Sequence, residues 1–192
     1  MSLRTDARQL RSCTANFKTR DDNGPVIEGY FAVFGDTYEW CPGLMEQIAP
    51  GAFSECLGSD VRALADHDTR LVLGRTAAGT LTLSEDEHGL YGVIKINERD
   101  SDAMNLYARV QRGDVSQCSF GFDIVDEEHT VNADGSNLWI IRKVILYEVS
   151  VVTFPAYEAT AVEARCNGTE RIKERRLNQW RETMKGRLKH GT

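Results

Sequence analysis

The segment VSQCSFGFDIV, residues 115–125, gives the clearest indication of the fold. Apolar side chains alternate along it with polar or small ones, which is the pattern of a strand buried on one face. The residues on the apolar face are Cys118, Phe120, Phe122 and Ile124. The other face contains Ser119 and Gly121, so the segment predicts a strand with Ser119 directed away from the core.

Further strands are predicted on both sides of this segment from runs of β-branched and aromatic residues. These strands comprise residues 26–34, 61–67, 79–84, 90–96 and 138–153. A Gly-containing loop joins the 79–84 and 90–96 segments, which is typical of a β-hairpin. The prediction for residues 61–67 places His67 at the end of a strand.

Residues 100–113 instead have the spacing of an amphipathic helix. Its apolar stripe consists of Ala103, Leu106, Tyr107 and Val110. Asp100 or Ser101 is the predicted N-cap and Gly113 the stop. A shorter helix is predicted to begin at Pro50 and end near Gly58. Many strands with one long helix indicate a mainly β fold, either a β-barrel or an α+β sheet.

The 192 residues carry a net charge of −6, which is unevenly distributed. Residues 168–192 contain 8 basic and 3 acidic side chains, which leaves a balance of −11 for residues 1–167. Because nucleic-acid-binding proteins usually have a basic surface, nucleic acid is not expected as a partner. The tail predicts a basic amphipathic helix, with an apolar stripe of Ile172, Leu177, Trp180, Met184 and Leu188.

The cysteines and the apolar segments restrict the cellular setting. Five cysteines without CxxC spacing predict neither a disulfide framework nor a zinc site; they are Cys13, Cys41, Cys56, Cys118 and Cys166. No apolar run has the length of a signal peptide or a membrane span, and no Gly-rich nucleotide-binding loop occurs. We therefore expect a soluble cytoplasmic protein with no cofactor and no membrane partner.

His67 is the one histidine in a strand-like setting. The others are predicted to be solvated; they are His88, His129 and His190. A structural histidine satisfied by hydrogen bonds and a general base are both compatible with the position of His67. A metal site is disfavoured, because adjacent residues of a strand point to opposite faces, so Asp66 and Asp68 would not converge with His67 on one ion.

Ser119 and Cys118 are the candidate nucleophiles. A serine hydroxyl is weak unless a base lies within hydrogen-bond reach, so Ser119 is also compatible with a plain solvent-facing hydroxyl. Gly121 beside it leaves room for a substrate backbone to approach. Cys118 falls on the buried face, where an apolar setting would raise the pKa of its thiol and reduce its reactivity.

Glu148 is a carboxylate inside the apolar run LYEVSVV, residues 146–152. Burying a carboxylate without a partner is costly. Three interpretations are open: a salt bridge to an arginine such as Arg62 or Arg142, an exposed position, or the group that orients a catalytic imidazole.

Several short motifs, taken together and in order, resemble the bacteriophage prohead (procapsid) maturation protease family. The motifs are Pro50-Gly51-Ala52-Phe53, Ala65-Asp66-His67-Asp68, Leu73-Gly74-Arg75, Gly79-Thr80-Leu81, Glu85-Asp86, Gly89-Leu90, Ser119-Phe120-Gly121-Phe122, Glu148-Val149-Ser150-Val151-Val152 and Phe154-Pro155-Ala156. The match extends from about residue 29 to residue 161. The family is related in fold to the herpesvirus assemblins, so the resemblance implies a closed β-barrel surrounded by helices.

The resemblance also implies roles for three residues. It makes Ser119 the nucleophile, His67 the general base and Glu148 the acid that orients the histidine, in the place where the assemblins have a second histidine. The oxyanion hole is expected among backbone N–H groups of the loop after Phe154-Pro155-Ala156.

The implied activity is that of a serine endopeptidase which cleaves the scaffold segment of the major capsid protein precursor, inside a procapsid in the host cytoplasm. The protease is also expected to cleave itself, and to form a homodimer by analogy with the assemblins. Two alternatives stay open: a catalytically inactive capsid-assembly or scaffold protein with the same fold, and a cysteine hydrolase that uses Cys118.

The predicted organisation has three parts: a polar lead-in of residues 1–20, a protease β-barrel domain of residues 21–165 and a basic tail of residues 166–192. The tail is expected to dock on acidic scaffold or shell protein and then to be cut away. The alternative is a helix that packs on its own barrel or on a dimer mate.

Overall fold

The computed structural model describes residues 8–21 and 24–154, and these residues are mostly β-strands. In chain order the strands are β1 (Gln9–Thr14), β2 (Lys18–Arg20), β3 (Val26–Val33), β4 (Tyr38–Cys41), β5 (Leu44–Ile48), β6 (Arg62–Ala65), β7 (Asp68–Arg75), β8 (Leu81–Glu85), β9 (Gly89–Lys95), β10 (Gln117–Val131) and β11 (Asn137–Val152). The helix α1 (Ser101–Arg112) lies between β9 and β10. The prediction of a mainly β protein is confirmed. No described helix is long and apolar enough to cross a membrane.

Strands β10 and β11 form a long antiparallel hairpin in the middle of a seven-stranded sheet. The order in this sheet is β1-β10-β11-β5-β4, while β6 pairs with β11 and β7 with β6. Because β11 has 16 residues, one of its edges accommodates two parallel neighbours. Residues 137–141 pair with β5, and residues 148–151 pair with β6. The second pairing places β6 directly beside Glu148.

The core is built on the apolar face of β10. Phe120 and Phe122 stack with their ring centroids 4.9 Å apart, and Phe53 meets Phe120 edge-on at 5.7 Å. A second, four-stranded sheet with the order β2-β3-β9-β8 contributes Phe31 and Ile94 to the same apolar cluster. The predicted core face of the 115–125 segment is buried, since Cys118, Phe120, Phe122 and Ile124 are at most 5% exposed.

The described strands form two open sheets, so the prediction of a closed barrel is wrong for residues 8–21 and 24–154. A barrel requires every strand to have two neighbours and the ends of one sheet to pair with each other. Here β1 and β4 end the path of the larger sheet, and β2 and β8 end the smaller one. Alternation along a strand reveals its buried face but not its neighbours, and for this reason closure could not be read from the sequence.

Two segments differ from their predicted conformation. Residues 9–14 and 18–20, within the predicted lead-in, form β1 and β2, and β1 pairs with residues 117–122 of β10. Residues 50–58, predicted as a short helix, form successive turns. Gly51 has a φ of 89°, which lies outside the helical region, and the N–H groups of Gly51 and Phe53 donate to Glu85. The predicted tail helix lies outside the described residues.

Helix α1 follows its sequence signals closely. Asp100 is the N-cap: one carboxylate oxygen accepts the N–H groups of Asp102 at 3.0 Å and Ala103 at 3.2 Å. Gly113 ends the helix with a φ of 88°. The apolar stripe is buried as predicted, because its side chains pack into the hydrophobic core.

Replacing Asp100 with Ala should lower the free energy of unfolding by about 1 kcal/mol, because two N–H groups of the first turn lose their acceptor. Urea denaturation measures this loss. Asp100→Ser, which retains a capping oxygen, should recover most of it; an equal loss in both variants would show that the cap is not its cause.

Candidate active site

His67 lies in the tight turn that joins β6 to β7. Strand β6 ends at Ala65, which is paired with Asp68, and the two residues between them have positive φ values of 47° for Asp66 and 61° for His67. Positive φ at both central residues is the signature of a type I′ hairpin turn. The expectation that the strand continues to His67 is therefore wrong.

Asp66 ties this turn to the end of β11. Its carboxylate accepts the backbone N–H of Thr153 at 2.6 Å and the Thr153 hydroxyl at 3.0 Å. Its own N–H donates to the Val151 carbonyl at 3.0 Å. Asp68 faces Arg70 instead, with a 2.7 Å ion pair, so the two carboxylates do not converge with His67. No cluster of metal-ligating side chains occurs among the described residues.

His67 and Glu148 form the central contact of the site. Nδ1 of His67 lies 2.7 Å from Oε1 of Glu148, and the Glu148 side chain is only 7% exposed. The arginines considered as partners of this carboxylate lie elsewhere, since Arg62 pairs with Asp60 and Arg142 with Glu128. Glu148 therefore contacts an imidazole rather than an arginine, and it is not at an exposed position.

The Glu148 carboxylate is enclosed on two further sides. Its Oε2 accepts the Ser150 hydroxyl at 2.6 Å, and Gly121 is its partner across the β10–β11 pair. A Cβ atom on Gly121 would lie 2.5 Å from Oε1. Gly121 therefore makes room for the Glu148 carboxylate, and the expectation that it leaves room for a substrate backbone is corrected. Ser150 was missed, although its position two residues after Glu148 puts it on the same face of a strand.

Ser119 lies on the same sheet face as Glu148 and Ser150, because it pairs with Ser150 across the hairpin. Its side chain is fully buried, and its hydroxyl donates to the Arg11 carbonyl of β1 at 2.9 Å. The prediction that Ser119 lies on the face opposite the aromatic residues is confirmed by this register.

The structure brings His67 and Glu148 together but does not join Ser119 to His67 by a hydrogen bond. Nε2 of His67 is buried and has no hydrogen-bond partner among the described residues. An unpartnered buried nitrogen is unusual, because buried polar atoms nearly always find a partner. Nε2 is the nitrogen that a general base would use, and no described residue donates to it or accepts from it.

Cys118 is placed unfavourably for nucleophilic attack. It is fully buried on the core face, and its Sγ lies 2.8 Å from Sγ of Cys13 on β1. The hydrogen bond with Cys13, together with burial, raises the pKa of the Cys118 thiol far above its usual range. A neutral thiol is a poor nucleophile, so the geometry disfavours a cysteine hydrolase.

The remaining histidines with described positions are exposed, as expected; they are His88 and His129. His190 lies outside the described residues, which end at Phe154. The loop after Phe154-Pro155-Ala156, expected to supply the oxyanion hole, lies outside them as well.

Comparison with known proteins identifies the family of this chain. Residues 13–175 match the family model described as caudovirus prohead serine protease. The chain is 33% identical over 162 residues to the prohead protease of Enterobacteria phage HK97, an alignment that covers 81% of this chain and 68% of that protein.

A solved structure supports the fold independently of sequence. The capsid assembly protease of bacteriophage T4 superposes with a TM-score of 0.51 at 11% identity, covering 76% of this chain and 96% of the other. The family match spans most of the sequence and includes all three candidate site residues. The chain is a serine protease that belongs to the caudovirus prohead protease family.

Proposed function

We propose that this chain is an endopeptidase that cleaves the scaffold segment of the major capsid protein precursor inside the procapsid, and that it also cleaves itself. The family and the named relatives support a role in capsid maturation. The observation that carries the catalytic assignment is the His67–Glu148 contact at 2.7 Å combined with the buried, unpartnered Nε2 of the same ring.

In the proposed mechanism, Glu148 sets the tautomer of His67. A carboxylate accepts a hydrogen bond from the N–H at Nδ1, which leaves the lone pair of the neutral ring on Nε2. Nε2 is then able to take the hydroxyl proton of Ser119 as Oγ attacks the scissile carbonyl. Glu148 stabilises the imidazolium that forms, and His67 returns the proton to the leaving amine. Water hydrolyses the acyl-enzyme in a second passage through the same steps.

Ser119 must change its hydrogen bond before it reacts. Its hydroxyl donates to the Arg11 carbonyl, so transfer of its proton to Nε2 requires the O–H bond to turn away from that carbonyl. A neutral hydrogen bond contributes about 0.5–1.5 kcal/mol net, which is small beside a catalytic barrier. The bond to β1 is thus compatible with a resting state of an active enzyme.

The proposed partners are the capsid protein precursor and a second copy of this chain. Residues 166–192, with their basic excess, are proposed to dock on acidic scaffold or shell protein. The proposed mechanism contains no step that needs a metal or cofactor, and the proposed setting is a procapsid assembling in the host cytoplasm.

Fluorophosphonate labelling with mass spectrometry tests the catalytic proposal, together with co-expression of the capsid protein precursor from the same phage. We expect an adduct on Ser119 and cleavage of the precursor. The inactive alternative predicts neither. Inactivation through alkylation of Cys118, without an adduct on Ser119, would transfer the nucleophilic role to the thiol.

A further inference from the structure

The proposed acid of the site has a partner on each of its oxygens. Oε1 of Glu148 contacts Nδ1 of His67 at 2.7 Å, and Oε2 accepts the hydroxyl of Ser150 at 2.6 Å. Glu148 and Ser150 project from the same face of β11, two residues apart. The carboxylate is therefore held at both ends of its O–C–O group.

The Ser150 hydroxyl uses its proton in the hydrogen bond to Glu148. It is fully buried, and its one hydroxyl proton is donated to Oε2 of Glu148. Its partner across the β10–β11 pair is Ser119, so it lies between the proposed acid and the proposed nucleophile on the sheet face.

Rotation of the carboxylate would break the contact with His67. Carboxylate torsions are broad, so a glutamate held at one oxygen only samples many orientations. On the other side, Gly121 has no Cβ, so no side chain at that position of β10 holds Oε1 in place. A donor on Oε2 removes the remaining freedom.

We propose that Ser150 is a positioning residue: its hydroxyl fixes the Glu148 carboxylate so that Oε1 holds Nδ1 of His67. The inference rests on the proposed function for its effect on catalysis, but the positioning itself is observable without any substrate. It adds a fourth side chain to the site, and one that acts only through Glu148.

The first test is NMR spectroscopy of the Nδ1 proton of His67, whose low-field resonance reports its hydrogen bond to the carboxylate. We expect this resonance in the full-length protein. It should move upfield or broaden in Ser150→Ala and return in Ser150→Thr, which keeps the hydroxyl. If Ser150→Ala does not fold, Ser150→Cys keeps the volume with a weaker donor and should give the same change.

The second readout is the rate of fluorophosphonate modification of Ser119. Ser150→Ala should lower the maximal rate roughly tenfold, about the rate equivalent of one hydrogen bond, with little change in the concentration for half-saturation. Ser54→Ala is the control, because the exposed Ser54 hydroxyl donates to the Gly51 carbonyl at 2.7 Å, outside the site. It should leave both the resonance and the rate unchanged.

The two readouts separate this inference from the proposed function. An unchanged His67 resonance in Ser150→Ala overturns the positioning role. A resonance that responds to Ser150 in a protein whose Ser119 never reacts supports the positioning role and contradicts the proposed protease mechanism.

Discussion

Replacing His67 with Asn should slow the fluorophosphonate modification of Ser119, and the cleavage of a co-expressed capsid protein precursor, by about 10²- to 10⁴-fold. The buried Nε2 of His67 is the proposed acceptor of the Ser119 proton. An amide has no comparable basic nitrogen, so Ser119 would have to attack as an unassisted hydroxyl.

Asparagine is the suitable replacement because of the backbone at this position. His67 has a φ of 61°, and among residues with a side chain Asn enters this left-handed region most readily, whereas Ala is strained there. The thermal unfolding midpoint of His67→Asn should therefore stay close to that of the unaltered protein. Loss of activity can then be assigned to the missing base rather than to a damaged turn.

His88→Asn is the matched control for this substitution. His88 is an exposed histidine in the loop between β8 and β9, and it should be replaceable without loss of rate. Labelling of Ser119 in His67→Asn at the rate of the control would contradict the assignment of His67 as the base.

The buried faces of β10 and α1 were predictable from the sequence, because periodicity is a local property. Alternation placed Phe120 in the core and Ser119 opposite it, and the helical stripe and cap of α1 were identified in the same way. Pairing between distant segments was less accessible. The contact of Ser119 with β1 depends on residues 108 positions apart, and nothing in the polar sequence of residues 1–20 indicated it.

The turn at His67 shows why the site geometry could not be predicted. Such turns are usually recognised by Asn-Gly or Asp-Gly, whereas here Asp66 and His67 both adopt positive φ. The Asp66 carboxylate compensates through its bonds to Thr153, which is 87 residues away in the sequence. The strand predicted for residues 61–67 therefore ends two residues early, at Ala65, because bonds to a distant segment stabilise the turn.

Replacing Gly121 with Ala should reduce the rate of fluorophosphonate modification of Ser119 and the rate of precursor cleavage by about 10²-fold or more. The new Cβ would lie 2.5 Å from Oε1 of Glu148, the oxygen that contacts His67, so the carboxylate must move. A displacement of about 1 Å in a catalytic group is enough for a loss of this size. Overpacking should also lower the free energy of unfolding by about 1–3 kcal/mol, measured by urea denaturation.

Gly58→Ala is the control for this second substitution. A Cβ at Gly58 would meet no atom within 4 Å, and its φ is not in the left-handed region. The rates should be unchanged, and the loss of chain entropy in the unfolded state should stabilise the protein by up to about 1 kcal/mol.

A double-mutant cycle with Glu148→Ala distinguishes displacement of this carboxylate from a general disturbance of the β10–β11 pair. In Glu148→Ala alone, Ser119 modification and precursor cleavage should both be slow, because His67 loses the group that fixes its tautomer. Adding Gly121→Ala to the Glu148→Ala variant should lower the rate little further, since the side chain that the new methyl displaces is already absent. A second full loss of rate in the double variant would contradict this explanation and show that the methyl acts on the strand itself.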